Sequence, residues 1–151
     1  MMIKYDPSTI IILPLFLLGL ILILVLVLFL SGWFKLSKEY PLPSDIGTVI
    51  KTYKWRSLNI NYLAAYRSLM NIIITDKGIA IRPTLKLLIL HNPIFFRWEQ
   101  LTDFNYMNGL VKSIVFKVSN KRIAMYGDVA NEIFIQKNAW DKRNTNSNDN
   151  K

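Results

Sequence analysis

The hydrophobic pattern of the chain begins with an unbroken apolar segment. From Ile10 to Leu30, 21 residues carry neither a charged side chain nor one that forms hydrogen bonds. A helix rises about 1.5 Å per residue, so this segment matches a bilayer core of about 30 Å. The pattern predicts a transmembrane helix over residues 10–30. The helix should stay uncleaved, because no small-x-small cleavage site follows it before Trp33.

After the span, the pattern changes to the alternation typical of β-strands. From about Thr48 onward a first strand is predicted, in which Leu58, Ile60 and Tyr62 alternate with asparagines. Two later segments each place a polar turn between apolar runs and predict hairpins, over residues 71–82 and residues 114–126.

The first predicted hairpin turns at Asp76-Lys77-Gly78, where Gly78 is expected to take a positive φ. The second turns at Ser119-Asn120-Lys121. Short apolar runs predict two more strands, over residues 87–90 and 94–98.

The end of the chain predicts one helix and a polar tail. Asp128 can cap a helix that runs to about Trp140, with Val129 and Ile133 on its apolar side. Residues 141–151 are polar and predicted to be disordered. Because a run of strands precedes a single helix, the order favours a mainly-β antiparallel domain over a βαβ sheet.

These elements divide the chain into four parts. An N-terminal stub and anchor cover residues 1–34, a linker covers 35–47, one folded domain covers 48–140, and the tail covers 141–151. About 120 residues follow the span, which is enough for one domain with its own core and too few for two.

Composition narrows the function classes. The chain has no cysteine, which excludes disulfides, thiol catalysis and cysteine-ligated metals. Its net charge of +9 lies after the span, because Lys4 and Asp6 cancel before it. A basic domain held beside a bilayer is attracted to anionic headgroups by about 1 kcal/mol per Lys or Arg near the surface.

The flanks of the span predict its orientation and its interface. Trp33 and Tyr40 follow it and are predicted to anchor it in the headgroup layer, where amphipathic rings concentrate. Lys35, Lys38 and Lys51 follow the span, and one lysine precedes it. The positive-inside rule therefore places the C-terminal domain in the cytoplasm.

The order of elements resembles the pleckstrin-homology (PH) and GRAM-like superfold, a bent antiparallel barrel of about seven strands with one C-terminal helix. The segments that carry this resemblance are Gly78-Ile79-Ala80-Ile81-Arg82 and Pro93-Ile94-Phe95-Phe96-Arg97-Trp98-Glu99-Gln100-Leu101. The resemblance implies a domain that uses basic loops to contact headgroups.

The chain is also similar to a family of small uncharacterised bacterial single-pass membrane proteins. The similarity rests on Ser31-Gly32-Trp33, Tyr40-Pro41 and Asn92-Pro93-Ile94-Phe95-Phe96-Arg97-Trp98. Two positions depart from the family pattern, Asn92 and Arg97, where prolines are common. The resemblance implies a bacterial inner membrane location and brings no established activity.

The candidate chemistry does not indicate an enzyme. His91 is the single histidine, the carboxylates are scattered, and no phosphate loop, nucleophile elbow or metal motif occurs. No catalytic residue, metal or cofactor is therefore predicted. Trp98 beside Glu99 suggests a pocket, but a core position is favoured because large aromatic side chains contribute most through burial.

The basic residues suggest a binding role. Four gather on the second hairpin and are the candidate headgroup contacts: Lys112, Lys117, Lys121 and Arg122. An ordinary solvated face is the competing interpretation. Nucleic acid is not expected, because the aromatic residues occupy core positions.

The predicted function is thus a non-catalytic module at the membrane surface. It binds anionic headgroups or a protein partner, such as another membrane protein. The alternative is a structural subunit of a bacterial envelope assembly that associates through its transmembrane helix.

Overall fold

The computed structural model describes residues 12–20, 22–23, 32–61, 64–84 and 92–148. The first two ranges belong to the predicted span, and they are helical. Within the described ranges, no helix combines the length and the apolarity that crossing a bilayer requires. The rest of the predicted 10–30 span lies outside the described residues.

The described residues after the span form seven strands and two helices. The strands are β1 (Val49–Ile60), β2 (Ala64–Thr75), β3 (Gly78–Pro83), β4 (Ile94–Arg97), β5 (Thr102–Asn108), β6 (Lys112–Val118) and β7 (Lys121–Tyr126). The helices are α1 (Trp33–Glu39) and α2 (Asp128–Asn148), and a single 3-10 turn covers Trp98–Gln100.

All seven strands pair antiparallel in one sheet, in the order β4-β3-β2-β1-β7-β6-β5. The sheet bends into a half-barrel, and α2 packs against β5, β6 and β7. The chain before β1 covers the β4 edge, since Pro41 bridges Ile94 and Phe95 N donates to Tyr40 O at 3.0 Å. The predicted mainly-β domain with about seven antiparallel strands and a C-terminal helix is confirmed.

Strands β1 and β2 bend where their register shifts. Between Tyr53 and Arg56, β1 has one residue more than the opposed part of β2, and between Arg56 and Leu58 the extra residues lie on β2. Trp55 and Ser68, one on each strand, take positive φ values of 55° and 52°. Such bulges increase the local bend and twist, and here they curve the sheet around its core.

The core is built from aromatic and β-branched side chains of the concave face. Phe96, Phe116 and Trp98 are fully buried. The indole N–H of Trp98 donates to the carbonyl oxygens of Thr75 at 3.2 Å and Asp76 at 3.1 Å. The prediction that Trp98 occupies the core is therefore confirmed.

Helix α1 corrects the predicted linker. Residues 35–39 belong to this helix, which is part of the core because Trp33 and Leu36, three positions apart, are fully buried on one of its faces. Tyr40 caps the helix through the bond from its amide to the Leu36 carbonyl, and Pro41 then forms an isolated bridge with Ile94. The prediction of a linker from residue 35 missed the helix because seven residues show too few apolar positions for a clear period.

The start of helix α2 differs from the prediction. Gly127, with a φ of 76°, precedes the helix, and its carbonyl accepts hydrogen bonds from the amides of Ala130 (3.0 Å) and Asn131 (3.4 Å). Asp128 is the first helical residue and not the cap, so its carboxylate lies in the first turn, where the helix dipole favours negative charge. Val129 and Ile133 are buried, as predicted.

The end of helix α2 corrects both the helix end predicted at Trp140 and the disorder predicted from residue 141. The helix continues to Asn148. Lys137 and Asp141 form an ion pair one turn apart, and the Thr145 hydroxyl donates to the Asp141 carbonyl at 3.0 Å. The Lys137–Asp141 pair, one turn apart, stabilises this polar end of the helix.

Both predicted hairpins are confirmed, with Ile74 opposite Ile79 in the first and Val118 opposite Lys121 in the second. Strand β5 was not predicted. The alternation of β5 is visible in the half-buried Phe104 and Tyr106, but a register shift at the start of the strand interrupts it. The strand predicted at residues 87–90 lies outside the described residues, as does Tyr62.

Gly78 is essential for a reason that differs from the predicted one. It is not among the described glycines with positive φ. A Cβ atom at Gly78 would instead lie 2.1 Å from the Phe96 carbonyl oxygen and 2.9 Å from the Arg97 Cα. The glycine therefore permits the close approach of β3 and β4 at the end of their ladder.

We expect Gly78→Ala to destabilise the domain by about 1–3 kcal/mol or more, because the backbone of β4 must move to admit the methyl group. Urea unfolding of the full chain in detergent micelles, followed by near-ultraviolet circular dichroism, measures the loss. Gly109→Ala is the matched control, since nothing lies within 4 Å of its Cβ position. Equal stability of the two variants would contradict the close-approach explanation.

Candidate functional site

The structure separates the four predicted headgroup contacts into two groups. Lys112 begins β6, whereas Lys117 lies five residues along the same strand, about 17 Å away at 3.3 Å per residue. Lys117 pairs with Arg122 across the β6–β7 hairpin, and Lys121 lies one position from Arg122. We call Lys117, Lys121 and Arg122 the basic turn; Lys112 lies at the opposite end of the hairpin.

The basic turn is held by the short connection between β6 and β7. Val118 and Lys121 close the ladder, and Ser119 takes a φ of 55° within the turn. Lys117 and Arg122 occupy the convex face of the hairpin, because their neighbours Phe116 and Ile123 are buried on the other face. The alternation thus places two cations side by side at one end of the sheet.

One carboxylate moderates this charge. The Lys117 Nζ lies 2.6 Å from the Asp103 carboxylate, and both side chains are about half exposed. Exposed ion pairs are worth little to stability and are readily exchanged for other partners. Asp103 comes from β5, whose position the sequence pattern did not indicate, so this pair was missed.

The basic turn contacts Gly32, two positions beyond the end of the predicted span. The Lys121 Nζ lies 3.0 Å from the point that a Cβ on Gly32 would occupy, and the next carbon of that side chain lies at 3.1 Å. Gly32 has a φ of 77° and precedes helix α1. The structure therefore brings Lys121 to a position two residues beyond Leu30, where the predicted span ends.

A second turn supports the same end of the sheet. The Asn61 amide donates to the Arg122 carbonyl at 2.9 Å, and the Arg122 amide donates to Asn61 Oδ1 at 2.9 Å. Asn61 adopts a left-handed conformation with a φ of 51°, which asparagine tolerates better than most residues. These two bonds fix the backbone of the basic turn against the end of β1.

The predicted interface anchors have different environments. Trp33 is fully buried, its indole N–H donates to the Asn92 carbonyl at 3.1 Å, and its ring meets Tyr66 edge-on at 5.5 Å. A side chain without exposed surface cannot contact headgroups, so the prediction for Trp33 is corrected to a core role. Tyr40 is half-buried against Phe96, and its role at the interface stays a prediction.

A polar groove lies elsewhere on the surface and encloses about 440 Å³. Phe95 and Trp140 form its apolar walls, and Asp45 and Lys77 pair at its rim. The hydrogen bond from Lys77 lowers the pKa of the Asp45 carboxyl, and the bond from the Gly47 amide adds to the effect. Asp76 also lines the groove, and its carboxylate accepts a hydrogen bond from the Thr48 amide at 2.8 Å.

Groups that could bind a metal ion do not come together in the described residues, where no three histidine, aspartate or glutamate side chains cluster. His91 lies outside those residues. No protein-family model matches the chain, and no curated protein matches it.

We expect Asn61→Ala to destabilise the domain by about 2 kcal/mol. The substitution removes a hydrogen-bond acceptor, and it places alanine, which has no polar side chain to bond locally, in the left-handed region. Asn61→Gly should cost only about 1 kcal/mol, since glycine keeps the conformation and loses only the side-chain bond. Urea unfolding of both full-length variants in micelles measures the difference. Equal losses would show that the backbone conformation of Asn61 is not a constraint.

Proposed function

We propose that this protein is a non-catalytic, single-pass module of the bacterial inner membrane, with a cytoplasmic PH/GRAM-like domain that binds anionic lipid headgroups through the basic turn. The observation that carries the proposal is the contact between Lys121 and Gly32. It joins the most basic end of the hairpin to the residue at which the apolar segment gives way to the domain.

The apolar segment supports the membrane anchor. Its large side chains within residues 12–20 and 22–23 are between 49% and 69% exposed, so the folded domain does not cover them. A helix that is hydrophobic all round needs either a protein core or lipid around it. Lipid is the environment that remains, and the 21-residue apolar run has the length to span it.

The distance between the span and the basic turn supports headgroup contact. Gly32 lies two positions beyond Leu30, which is at most about 7 Å even for extended chain. The headgroup layer extends about 5–7 Å beyond the hydrocarbon on each side. Lys121 would therefore lie within the headgroup layer or within one Debye length of it, about 8 Å at physiological salt.

The fold supports the PH/GRAM-like part of the proposal. A bent sheet of seven antiparallel strands followed by one C-terminal helix agrees with what the resemblance implies. The basic turn flanks the connection between β6 and β7, and basic loops are what that superfold commonly uses to contact headgroups.

The basic turn can be tested with a fluorescent reporter, because the chain has no cysteine of its own. We expect an environment-sensitive dye on Asn120→Cys, in full chain reconstituted into vesicles, to shift to the blue when anionic lipid replaces neutral lipid. A dye on Gly109→Cys, in the connection between β5 and β6, should not respond. Raising the salt to about 0.5 M should reverse the shift by screening.

Two charge variants sharpen this test. Replacing Lys117, Lys121 and Arg122 with Gln should weaken the attraction about fivefold for each charge removed. Replacing Lys112, Lys142 and Arg143 with Gln removes equal charge elsewhere and should leave the response unchanged. The single variant Lys121→Gln guards against a folding defect in the triple variant. A response that is indifferent to anionic lipid, or equal in the two triple variants, would remove the proposed site.

The cytoplasmic orientation makes a separate prediction. In intact bacteria, a membrane-impermeant maleimide should label Ser8→Cys in the N-terminal stub and leave Asn120→Cys unlabelled until the membrane is permeabilised. The expectation follows from the lysines that flank the C-terminal end of the span. The opposite labelling pattern would place the domain outside the cytoplasm.

A further inference from the structure

The positive charge of the chain is concentrated in one half of the sheet. Residues 46–98, which include β1 to β4, contain eight Lys or Arg and one carboxylate, Asp76. Eight minus one gives +7, out of +9 for the whole chain. Neither β1 nor β2 contains a single Asp or Glu. The basic turn accounts for only a small part of the charge.

Some of these cations have partners among the described residues. Lys51 pairs with Glu132, Lys77 with Asp45, and Arg97 with Glu99. Arg56 lies over the Tyr53 ring at 5.4 Å. Among the described cations of residues 46–98, three exposed ones have no carboxylate in ion-pair distance: Lys54, Arg67 and Arg82.

These three cations lie on the strand segments next to an exposed tryptophan. Trp55 is 54% exposed and follows Lys54 in the β1 bulge. Its amide donates to Asn71 Oδ1 at 3.3 Å, and Asn71 pairs with Arg82 in the β2–β3 ladder. On the other side of Trp55, the Ser68 amide donates to Ser57 Oγ at 3.1 Å. Ser57 lies two positions along β1 from Trp55, and Arg67 directly precedes Ser68.

The conformation of Trp55 is costly. A positive φ is uncommon for a bulky residue, and such strain persists only where the surroundings enforce it. Asn71 helps to enforce it, since its Oδ1 accepts from both the Trp55 amide and the Thr84 hydroxyl, the latter at 3.2 Å. The bulge thereby turns a large amphipathic ring out to solvent, where it contributes little to the core.

This surface also lies on the strands that approach the predicted membrane. The Trp33 ring, next to Gly32, meets the Tyr66 ring of β2, and Tyr66 pairs with Leu58 of β1. Trp55 lies three residues along β1 from Leu58, about 10 Å at the rise of a strand. An indole and three long basic side chains are thus within reach of the headgroups if the domain leans toward β1 and β2.

We propose that Trp55, Lys54, Arg67 and Arg82 form a second lipid contact, the interfacial patch, in which the indole enters the headgroup layer and the three cations bind anionic phosphates. The inference rests on the proposed function and deepens it, because it needs the bilayer that the anchor supplies. Tryptophan concentrates at this depth of a membrane, and Lys and Arg side chains extend to it. An acidic protein surface is the competing occupant, and the experiment below distinguishes the two.

The test uses full chain in anionic vesicles that contain brominated lipids, which quench tryptophans close to the membrane. We expect quenching of the wild-type emission and a clearly smaller quenched fraction in Trp55→Phe, in which Trp33, beside the span, accounts for the quenching that remains. Trp140→Phe is the matched control and should keep the quenching, because Trp140 lies on α2 beside the polar groove. Replacing Lys54, Arg67 and Arg82 with Gln should weaken the patch about fivefold per charge in anionic vesicles and have little effect in neutral ones.

A second variant separates lipid contact from folding. Trp55→Gly relieves the positive φ and should fold at least as stably as the wild type, yet lose the same part of the quenching as Trp55→Phe. Quenching that is equal in wild type and Trp55→Phe would overturn the interfacial patch, and would leave an acidic protein as its partner. If the dye at residue 120 still responds to anionic lipid in that case, the proposed function stands without the patch. Failure of the full chain to float with vesicles would overturn both.

Discussion

The bend of the β1–β2 hairpin is the constraint on which the rest of the structure depends. Each strand has 12 residues, about 40 Å if straight, which is too long for a small core. The bulges bend the hairpin, so that β1 pairs with β2 over most of its length and with β7 only from Leu58 to Ile60. One strand thereby joins both halves of the sheet. The positive φ values of Trp55 and Ser68 are the strain that accompanies this bend, and the packed core on the concave face maintains it.

The sequence pattern predicted the elements whose signals are local. Alternation and turn residues located both short hairpins, and the order of strands and helix indicated the antiparallel domain. Features that depend on contacts between residues far apart in the sequence could not be predicted from this local pattern. The need for glycine at position 78 comes from β4, and the burial of Trp33 comes from Tyr66 and Asn92, which no local pattern links to it. An indole after an apolar run is equally consistent with a membrane interface and with a core.

In the candidate site, too, some features could be predicted from the sequence and others only from the fold. Four basic residues that lie close together in the sequence suggested one cluster. A strand rises about 3.3 Å per residue, however, so Lys112 at the start of β6 lies apart from the basic turn at its end. The contact between Lys121 and Gly32 required the fold, since 89 positions separate the two residues in the chain. In contrast, the near absence of carboxylates from residues 46–98 is visible in the sequence by counting charges along the chain, and this signal was overlooked.

The proposed contacts act together through geometry. A domain held by one flexible point can turn freely, and each weak contact then has to pay its own ordering entropy. Here Gly32 touches β7 through Lys121, while Trp33 touches β2 through Tyr66, so the chain leaves the predicted membrane between the two halves of the sheet. The basic turn belongs to one half and the interfacial patch to the other. In the proposed arrangement the anchor would supply a high effective concentration of lipid to both, and contacts of about 1 kcal/mol per charge would be enough to set the orientation of the domain. The connection between β5 and β6, where Leu110 is fully exposed, lies at the end of β6 opposite the basic turn.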